Sequence, residues 1–313
     1  MSKTTTSHVR ITDPVLTNLA LGYKNAAFVG QNLLPFVTVP KEGVRIPKFG
    51  TEAFVVEDDE RALFAESNEI TPVKVTSETI NLVEHDLAHP IDYREGREAD
   101  FAYEQYALSV VQEKMALNHE KRVVQLVTNE STYGANNKVV LSGTSLFSDK
   151  QSDIFGVFDD ALDAVFNGCG YGANQAVIPA DVWRAIKVHP QITEIMKYRG
   201  IKRLTPDDFA DMLGKEHGEK LNVHIGRARY KATLADDPAP LWTKDIFLGY
   251  APTGGHSNLY RPAFGYTPRR EGGLFVDKYD KEGGKVYNVR CTDIHKEYLL
   301  MPEAGYLIKN AIA

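Results

Sequence analysis

The chain has 313 residues, of which 43% are hydrophobic and 25% are charged, values that are typical of globular proteins with one or two packed units. Its formal net charge of −6 argues against a surface that binds nucleic acid everywhere, although it leaves room for local basic patches. Two cysteines are too few for a disulfide framework and fit a reducing cytoplasm, and neither a secretory signal nor a membrane-spanning apolar run is visible.

The N-terminal part of the sequence predicts an arm followed by edge strands. Residues 16–30 are mostly apolar and are punctuated by Gly22 and Gly30, a pattern that suits a short helix too small to bury itself. Residues 33–49 alternate apolar residues with polar residues and prolines, which favours edge strands because proline cannot donate to a central ladder.

Residues 41–88 predict a long antiparallel excursion, with strand candidates at 52–65 and 69–88 and too few apolar residues for a core of its own. The chain is basic on balance over residues 1–50 and acidic over the next fifty. Such charge runs commonly form solvated surface, and the alternative is complementary contact between copies of the chain.

Residues 98–130 lack proline and glycine and predict one helix of roughly 50 Å. An apolar stripe along it is formed by Tyr103, Tyr106, Ala107, Val110, Val111, Leu117, Val124 and Val127. Charged residues are assigned to the other sides, namely Glu104, Glu113, Lys114, Glu120, Lys121 and Arg122. Because mean helices have only about 11–12 residues, this helix indicates a mechanical element that lies across a sheet or along a neighbouring subunit.

A mixed section of helices and strands follows the long helix. Residues 153–167 predict a helix with Asp153 as its N-cap and Gly168 as its stop, and Thr205 with Pro206 predicts the start of another. Residues 174–190 predict a strand, a turn at Pro179 and a helix. From Gly265 onward the chain returns to strands, including a long one within residues 285–301.

Three phrases of the sequence resemble the major capsid proteins of tailed bacteriophages with the Hong Kong 97-like fold: LTNLALGYKNAAFVGQNLLPFVTVPKEGVRIPKFG, AVIPADVWRAIKVHP and HKEYLLMPEAGYLIKN. The resemblance implies an α+β fold in five segments. These are an N-terminal arm (1–38), an extended β-hairpin loop (39–89), a peripheral domain with the long spine helix (90–172), an axial domain (173–260), and returning peripheral strands with a C-terminal strand (261–313).

The resemblance also implies a structural protein rather than an enzyme, with no catalytic residues, cofactor or metal. Identical copies would form hexamers and pentamers of an icosahedral shell around double-stranded DNA, in a virion assembled in the host bacterial cytoplasm. The resemblance further implies a portal, decoration proteins and packaged DNA as partners, the DNA being contacted weakly and non-specifically. It implies no contact with a membrane. Many members carry an N-terminal scaffolding segment that is later removed; this arm begins at residue 1, which implies a separate scaffolding protein or a segment outside this sequence.

Two other functions are consistent with the same pattern. An encapsulin-like nanocompartment shares the fold, but the long arm and loop favour the phage shell. A soluble enzyme would instead require a deep pocket with convergent polar groups.

Few residues carry chemistry on their own. His85 and His89 are four residues apart, but the segment predicts a strand, so a metal site there is disfavoured; His189, His217, His224, His256 and His295 are interpreted as surface or satisfied histidines.

Some relatives form a lysine–asparagine crosslink, for which the candidates are Lys41, Lys48, Lys74 and Asn310. The basic residues that could face DNA are Arg184, Lys187, Lys197, Arg199, Lys202, Arg203, Arg227, Arg229 and Lys231.

Overall fold

A computed structural model describes residues 13–21, 28–47, 77–98, 102–214, 220–252, 263–281 and 283–313, with short pieces at 56, 59–61, 63, 66–69 and 218. The α-helices in these ranges are α1 (Pro14–Leu21), α2 (Gly30–Leu33), α3 (Tyr93–Glu98), α4 (Tyr103–Val127), α5 (Ile154–Cys169), α6 (Ala180–Val188), α7 (Pro190–Arg199) and α8 (Pro206–Leu213). The strands are β1 (Phe36–Val39), β2 (Gly43–Pro47), β3 (Ser77–Asn81), β4 (Val83–Asp92), β5 (Lys138–Val140), β6 (Gln175–Pro179), β7 (Asn222–Gly226), β8 (Arg229–Tyr230), β9 (Ala239–Pro240), β10 (Ile246–Gly249), β11 (Gly265–Arg270), β12 (Phe275–Asp280), β13 (Val286–His295), β14 (Tyr298–Leu299) and β15 (Gly305–Lys309).

A six-stranded sheet is organised around the long strand β13. Strand β4 pairs with it antiparallel over its whole length, from Val286↔Asp92 to His295↔Val83. Strands β12 and β11 also pair with β13, and β1 lies parallel to β11 at the edge of the sheet, as the prolines around it predicted.

A five-stranded sheet has the order β5-β15-β10-β6-β7. Strand β6 is buried along all five residues because helices and neighbouring strands cover it. The C-terminal strand β15 lies in this second sheet, whereas β11 to β14 belong to the six-stranded one. Strand β15 pairs with β10 antiparallel and with β5 parallel, and so lies inside the second sheet.

Helix α4 connects two of the hydrophobic cores. Its N-terminal half, through Leu108 and Val111, packs on the six-stranded sheet, whereas Val123 and Val127 pack in the core of the five-stranded sheet. The helix is shorter than predicted: it has 25 residues, about 37 Å, and begins at Tyr103 after the separate helix α3. The predicted stripe is also partly wrong, because Tyr106 is exposed and Glu120 is buried.

The arm and the base of the loop are attached to the body of the same chain. Leu16 of α1 is buried against the core beneath α4, and Asp13 donates its backbone N–H to Val276 of β12. Strands β2 and β3 pair antiparallel, and their Ile46 and Ile80 lie in a small core with residues of the six-stranded sheet. The described parts of the arm and the loop are therefore buried against the rest of the chain rather than in cores of their own.

Helix boundaries follow the predicted caps closely, with one shift. The Asp153 side chain accepts from the backbone N–H of Gly156, and Thr205 forms a reciprocal capping box with Asp208. Helix α5 ends at Gly170, which adopts a left-handed conformation with φ of 73°, rather than at Gly168. Gly168 is instead required by packing, since a Cβ there would lie 2.5 Å from the Glu303 carbonyl oxygen.

The five-segment division of the chain stays a prediction. Residues 83–89, which it assigns to the loop, belong to β4 of the six-stranded sheet, and the strand candidate at 52–65 lies mostly outside the described residues. Among the helices that are described, none is both long and apolar enough to cross a bilayer.

Candidate functional site

The middle of α4 carries a buried carboxylate that joins three parts of the chain. Glu120 is 1% exposed. Its Oε1 accepts hydrogen bonds from the Trp242 indole Nε1 at 2.8 Å and the Val29 backbone N–H at 3.1 Å, and its Oε2 accepts from the Gly30 backbone N–H at 2.7 Å. The arm, the long helix and the segment before β10 are thus held at one point.

Burial makes this carboxylate costly unless its oxygens are hydrogen-bonded. Desolvation raises the pKa of Glu120, while the hydrogen bonds from Trp242, Gly30 and Val29 oppose that rise. Gly30 is needed for the close approach, because a Cβ at this position would lie 2.7 Å from Glu120 Oε2. The junction therefore depends on one glycine, one indole and one acid.

The preceding residue, His119, faces a second polar cluster at the end of β13. Its Nε2 lies 3.7 Å from Glu297 Oε1, and His295 Nε2 lies 3.5 Å from the same oxygen. Arg122 donates to Glu297 Oε1 from Nε at 2.8 Å, and its Nη2 lies 2.9 Å from His295 Nε2. All of these side chains except Arg122 are nearly inaccessible to solvent.

A second carboxylate, that of Asp293, lies on the Nδ1 side of His295. Asp293 Oδ2 lies 3.1 Å from His295 Nδ1, a close contact rather than an aligned hydrogen bond, and accepts from Arg269 Nη2 at 2.8 Å. The Arg269 guanidinium also stacks 3.6 Å from the centre of the Phe36 ring, and that ring stacks on His119. Edge strand β1 is thereby included in the network.

Burial and charge shift the titration of these groups in opposite directions. Burial lowers the pKa of His119 to about 3 and that of His85 to about 4. Burial alone would raise the pKa of Glu297, but the hydrogen bond from His295 and the charges around it hold that pKa at about 2. Burial likewise opposes a charged His295, yet contacts with Asp293 and Glu297 outweigh it and raise the pKa of this histidine.

A cavity of about 410 Å³ adjoins the cluster. Polar and charged walls come from α4 and from strands β4, β11 and β13, including Gln112, Arg122, Arg269 and His85, while Met115 and Leu274 supply apolar surface. The cavity separates the middle of α4 from the six-stranded sheet.

The histidine pair weighed from the sequence does not form one site. His85 and His89 both lie on β4, where four residues span about 13 Å. His85 lies beside His295, with ring centres 4.5 Å apart, whereas His89 faces Tyr103. His295 is buried and contacts Asp293, Glu297 and Arg122, so it belongs to the charged cluster.

The crosslink candidates remain a prediction. Lys41 is exposed in the turn between β1 and β2, and Asn310 follows β15, where its backbone N–H donates to Asp245. Lys48 and Lys74 lie outside the described residues. The basic residues proposed to face DNA lie on α6, on and after α7, and around β7 and β8, where nearly all are exposed.

Sequence reasoning missed His119, Glu120 and Glu297, although two signals were present. Glu120 is four residues before Val124 and seven before Val127, which places it on the buried stripe of α4. Asp293, His295 and Glu297 alternate along the chain, so that their side chains lie on one face of an extended segment. Charged residues at buried positions indicate paired partners from elsewhere in the fold.

Comparison with known proteins gives the family. No family model matches the sequence. The major capsid protein of Burkholderia phage BcepMu is 44% identical over 307 residues, which cover 97% of this chain and 98% of that protein. A phage-related protein of Bordetella bronchiseptica RB50, known from its crystal structure, is 25% identical, has a TM-score of 0.80, and matches over 97% of this chain and 98% of its own.

A more distant structure shares the fold. The capsid of a native GTA particle has a TM-score of 0.55 at 14% identity, over 93% of this chain and 92% of that chain. The α+β architecture of this protein is thus a capsid architecture. Because the Burkholderia phage protein matches at 44% identity over nearly the full length of both chains, the chain belongs to the family of phage major capsid proteins.

Proposed function

We propose that this chain is the principal subunit of an icosahedral phage head that encloses double-stranded DNA, with its copies arranged as hexamers and pentamers. The observation that carries the proposal is the end-to-end match to a curated phage major capsid protein. The role is structural, and we expect no catalytic turnover.

The surface of the chain is suited to contact between copies. Val188 and Tyr198, in consecutive helices of the axial segment, are 73% and 85% exposed. Exposed large apolar side chains become favourable when another surface covers them. The loop also begins as a two-stranded sheet of β2 and β3, and we expect the loop to contact a neighbouring subunit.

Further partners follow from the proposed role. We infer a separate scaffolding protein during assembly in the host cytoplasm, a portal at one vertex and decoration proteins outside. Packaged DNA would meet the exposed basic side chains of the axial segment, such as Arg199, Arg203 and Arg229, weakly and without sequence readout.

Electron microscopy of particles formed by the purified chain, alone and with its scaffolding partner, tests the proposal. Closed shells or capsomer rings support it, whereas a monomer that never associates at high concentration contradicts it. The content of particles isolated from cells separates the two shell functions: packaged DNA supports a phage head, and an enclosed enzyme supports a nanocompartment.

A further inference from the structure

We propose that His119, His295 and Glu297 form a binding site for a transition-metal dication of the zinc class. The three side chains converge between α4 and the end of β13, and their ligand atoms all lie within 4.8 Å of one another. The proposal is independent of shell assembly, because it concerns the interior of a single subunit.

The distances from Glu297 to the two histidines are close to those around a small tetrahedral ion. Zinc binds imidazole nitrogen and carboxylate oxygen at about 2.0–2.2 Å, so that neighbouring ligand atoms in a tetrahedron are roughly 3.4 Å apart. Glu297 Oε1 is 3.7 Å from His119 Nε2 and 3.5 Å from His295 Nε2. Two imidazoles with one carboxylate favour zinc-like ions over calcium or magnesium, which prefer oxygen ligands.

One ligand atom lacks a partner in the described part of the chain. His119 is 6% exposed, and its buried Nε2 makes no hydrogen bond there, although it faces Glu297. A buried polar atom of this kind requires an explanation, and a bound cation is one of them. We choose a cation as the explanation because ligand atoms of His295 and Glu297 lie beside His119 Nε2.

The surroundings resemble the outer shell of a metal site. Asp293 lies 3.1 Å from His295 Nδ1 and is itself held by Arg269, an arrangement that leaves His295 Nε2 directed toward the ligand cluster. Carboxylates that contact the second nitrogen of a ligating histidine fix the orientation of its ring. The adjoining cavity of about 410 Å³ offers space for a water molecule at the fourth position.

Arg122 is the competitor for this position. Its guanidinium contacts both Glu297 Oε1 and His295 Nε2, so that it supplies the positive charge that a metal would otherwise supply. The side chain is 29% exposed and lines the cavity, into which it can turn when a dication binds. Metal and Arg122 therefore exclude each other at Glu297.

Titration of the chelator-treated full-length chain with Co²⁺ and Zn²⁺ tests the site. We expect one high-affinity ion per chain, the visible absorption of tetrahedral Co²⁺, its displacement by Zn²⁺, and a higher unfolding temperature with metal. His119→Gln and Glu297→Gln should remove the tetrahedral spectrum. The matched control His224→Gln, in the five-stranded sheet, should leave it unchanged.

Arg122→Gln keeps the proposal testable if a ligand variant fails to fold. Removal of a like charge next to the ion should tighten binding at least about tenfold. The proposal is overturned if the chain binds no stoichiometric ion, if His119→Gln folds and binds as before, or if Arg122→Gln folds and gains no affinity.

Discussion

The indole Nε1 of Trp242 donates a 2.8 Å hydrogen bond to Oε1 of Glu120, two residues that are 122 positions apart. Trp242 belongs to the core of the five-stranded sheet, and Glu120 lies in the middle of the helix that spans both cores. The same carboxylate holds the backbone of the arm at Gly30. The arm, the long helix and the segment before β10 are therefore joined through one carboxylate.

Trp242→Phe should lower the free energy of unfolding by about 1–3 kcal/mol, because it leaves Glu120 Oε1 with one donor fewer in a buried site. Glu120→Gln should cost at least as much, since an amide cannot accept at both of its terminal atoms. The double variant should be less destabilised than the sum of the two, as denaturant unfolding would measure.

Trp183→Phe is the matched control for this cycle. Trp183 is buried in the same core and contacts Phe209 edge-to-face, but it is not among the donors to Glu120. The destabilisation by Trp183→Phe should therefore add to the destabilisation by Glu120→Gln, with no coupling energy between the two substitutions. Full additivity between Trp242→Phe and Glu120→Gln would contradict the claim that the hydrogen bond between these residues stabilises the protein.

Gly30→Ala should detach the arm from α4. The added Cβ would lie 2.7 Å from Glu120 Oε2 and 3.1 Å from Val123 Cβ, so the backbone must move and lose its hydrogen bond to the acid. We expect a loss of about 1–3 kcal/mol in stability. Hydrogen exchange should also show a less protected amide at residue 30.

Gly134→Ala is the control for this substitution. Gly134 has a φ of −63°, and a Cβ there would meet nothing within 4 Å. This variant should be neutral or slightly stabilising. Equal destabilisation by both substitutions would indicate a general effect of removing glycine rather than the proposed contact.

Local signals in the sequence predicted most helices and strands, whereas contacts between distant segments could not be predicted from the sequence. The capping side chains of Asp153 and Thr205 accept hydrogen bonds from backbone N–H groups three residues further on, so each cap and its partner lie within one short stretch of sequence. The long helix was overextended because nothing in residues 98–102 breaks a helix as proline or glycine would. The partners of Glu120 come from residues 29, 30 and 242, which no periodicity relates to it.

The same limit applies to the C-terminal strand. An apolar strand such as β15 fits either sheet by its pattern, and only pairing with β10 and β5 decides where it lies. His295 illustrates the point for the site. Alternation of Asp293, His295 and Glu297 was visible, but the helix residues His119 and Arg122 that complete the cluster were not predictable from spacing.

Acid should weaken the start of α5 through Asp153. Hydrogen bonds from the Gln191 amide and the Gly156 N–H lower the pKa of this carboxyl below its usual 3.8. The unfolded chain therefore binds the proton more readily, so the stabilisation is present above about pH 3.8 and is lost as the pH falls through the lowered pKa.

Asp153→Asn separates this charge effect from the capping geometry. Asparagine caps helices about as well as aspartate but does not titrate, so the variant should be only slightly less stable than the parent at pH 7. The parent should lose its small advantage as the pH falls below about 4 in acid unfolding curves. An advantage that stays constant with pH would argue against the role of the charge.

Neither cysteine should react in the folded protein. Cys169 and Cys291 are free thiols in two different cores and are 5% and 1% exposed. Burial raises the pKa of both, that of Cys291 to about 12, so almost no thiolate is present at pH 7. An aromatic disulfide reagent should label both thiols in denaturant and neither at an appreciable rate in buffer.

Tyr198→Ser should impair association between subunits without destabilising the subunit. The side chain is 85% exposed at the end of α7, so its loss removes little from the interior of the monomer. If neighbouring copies cover it, burial of its ring contributes about 1.5–3 kcal/mol per contact, a value that repetition around a capsomer multiplies. Sedimentation should show fewer closed particles at equal protein concentration, with an unchanged unfolding temperature. Normal assembly of the variant would place this face outside the contacts between subunits.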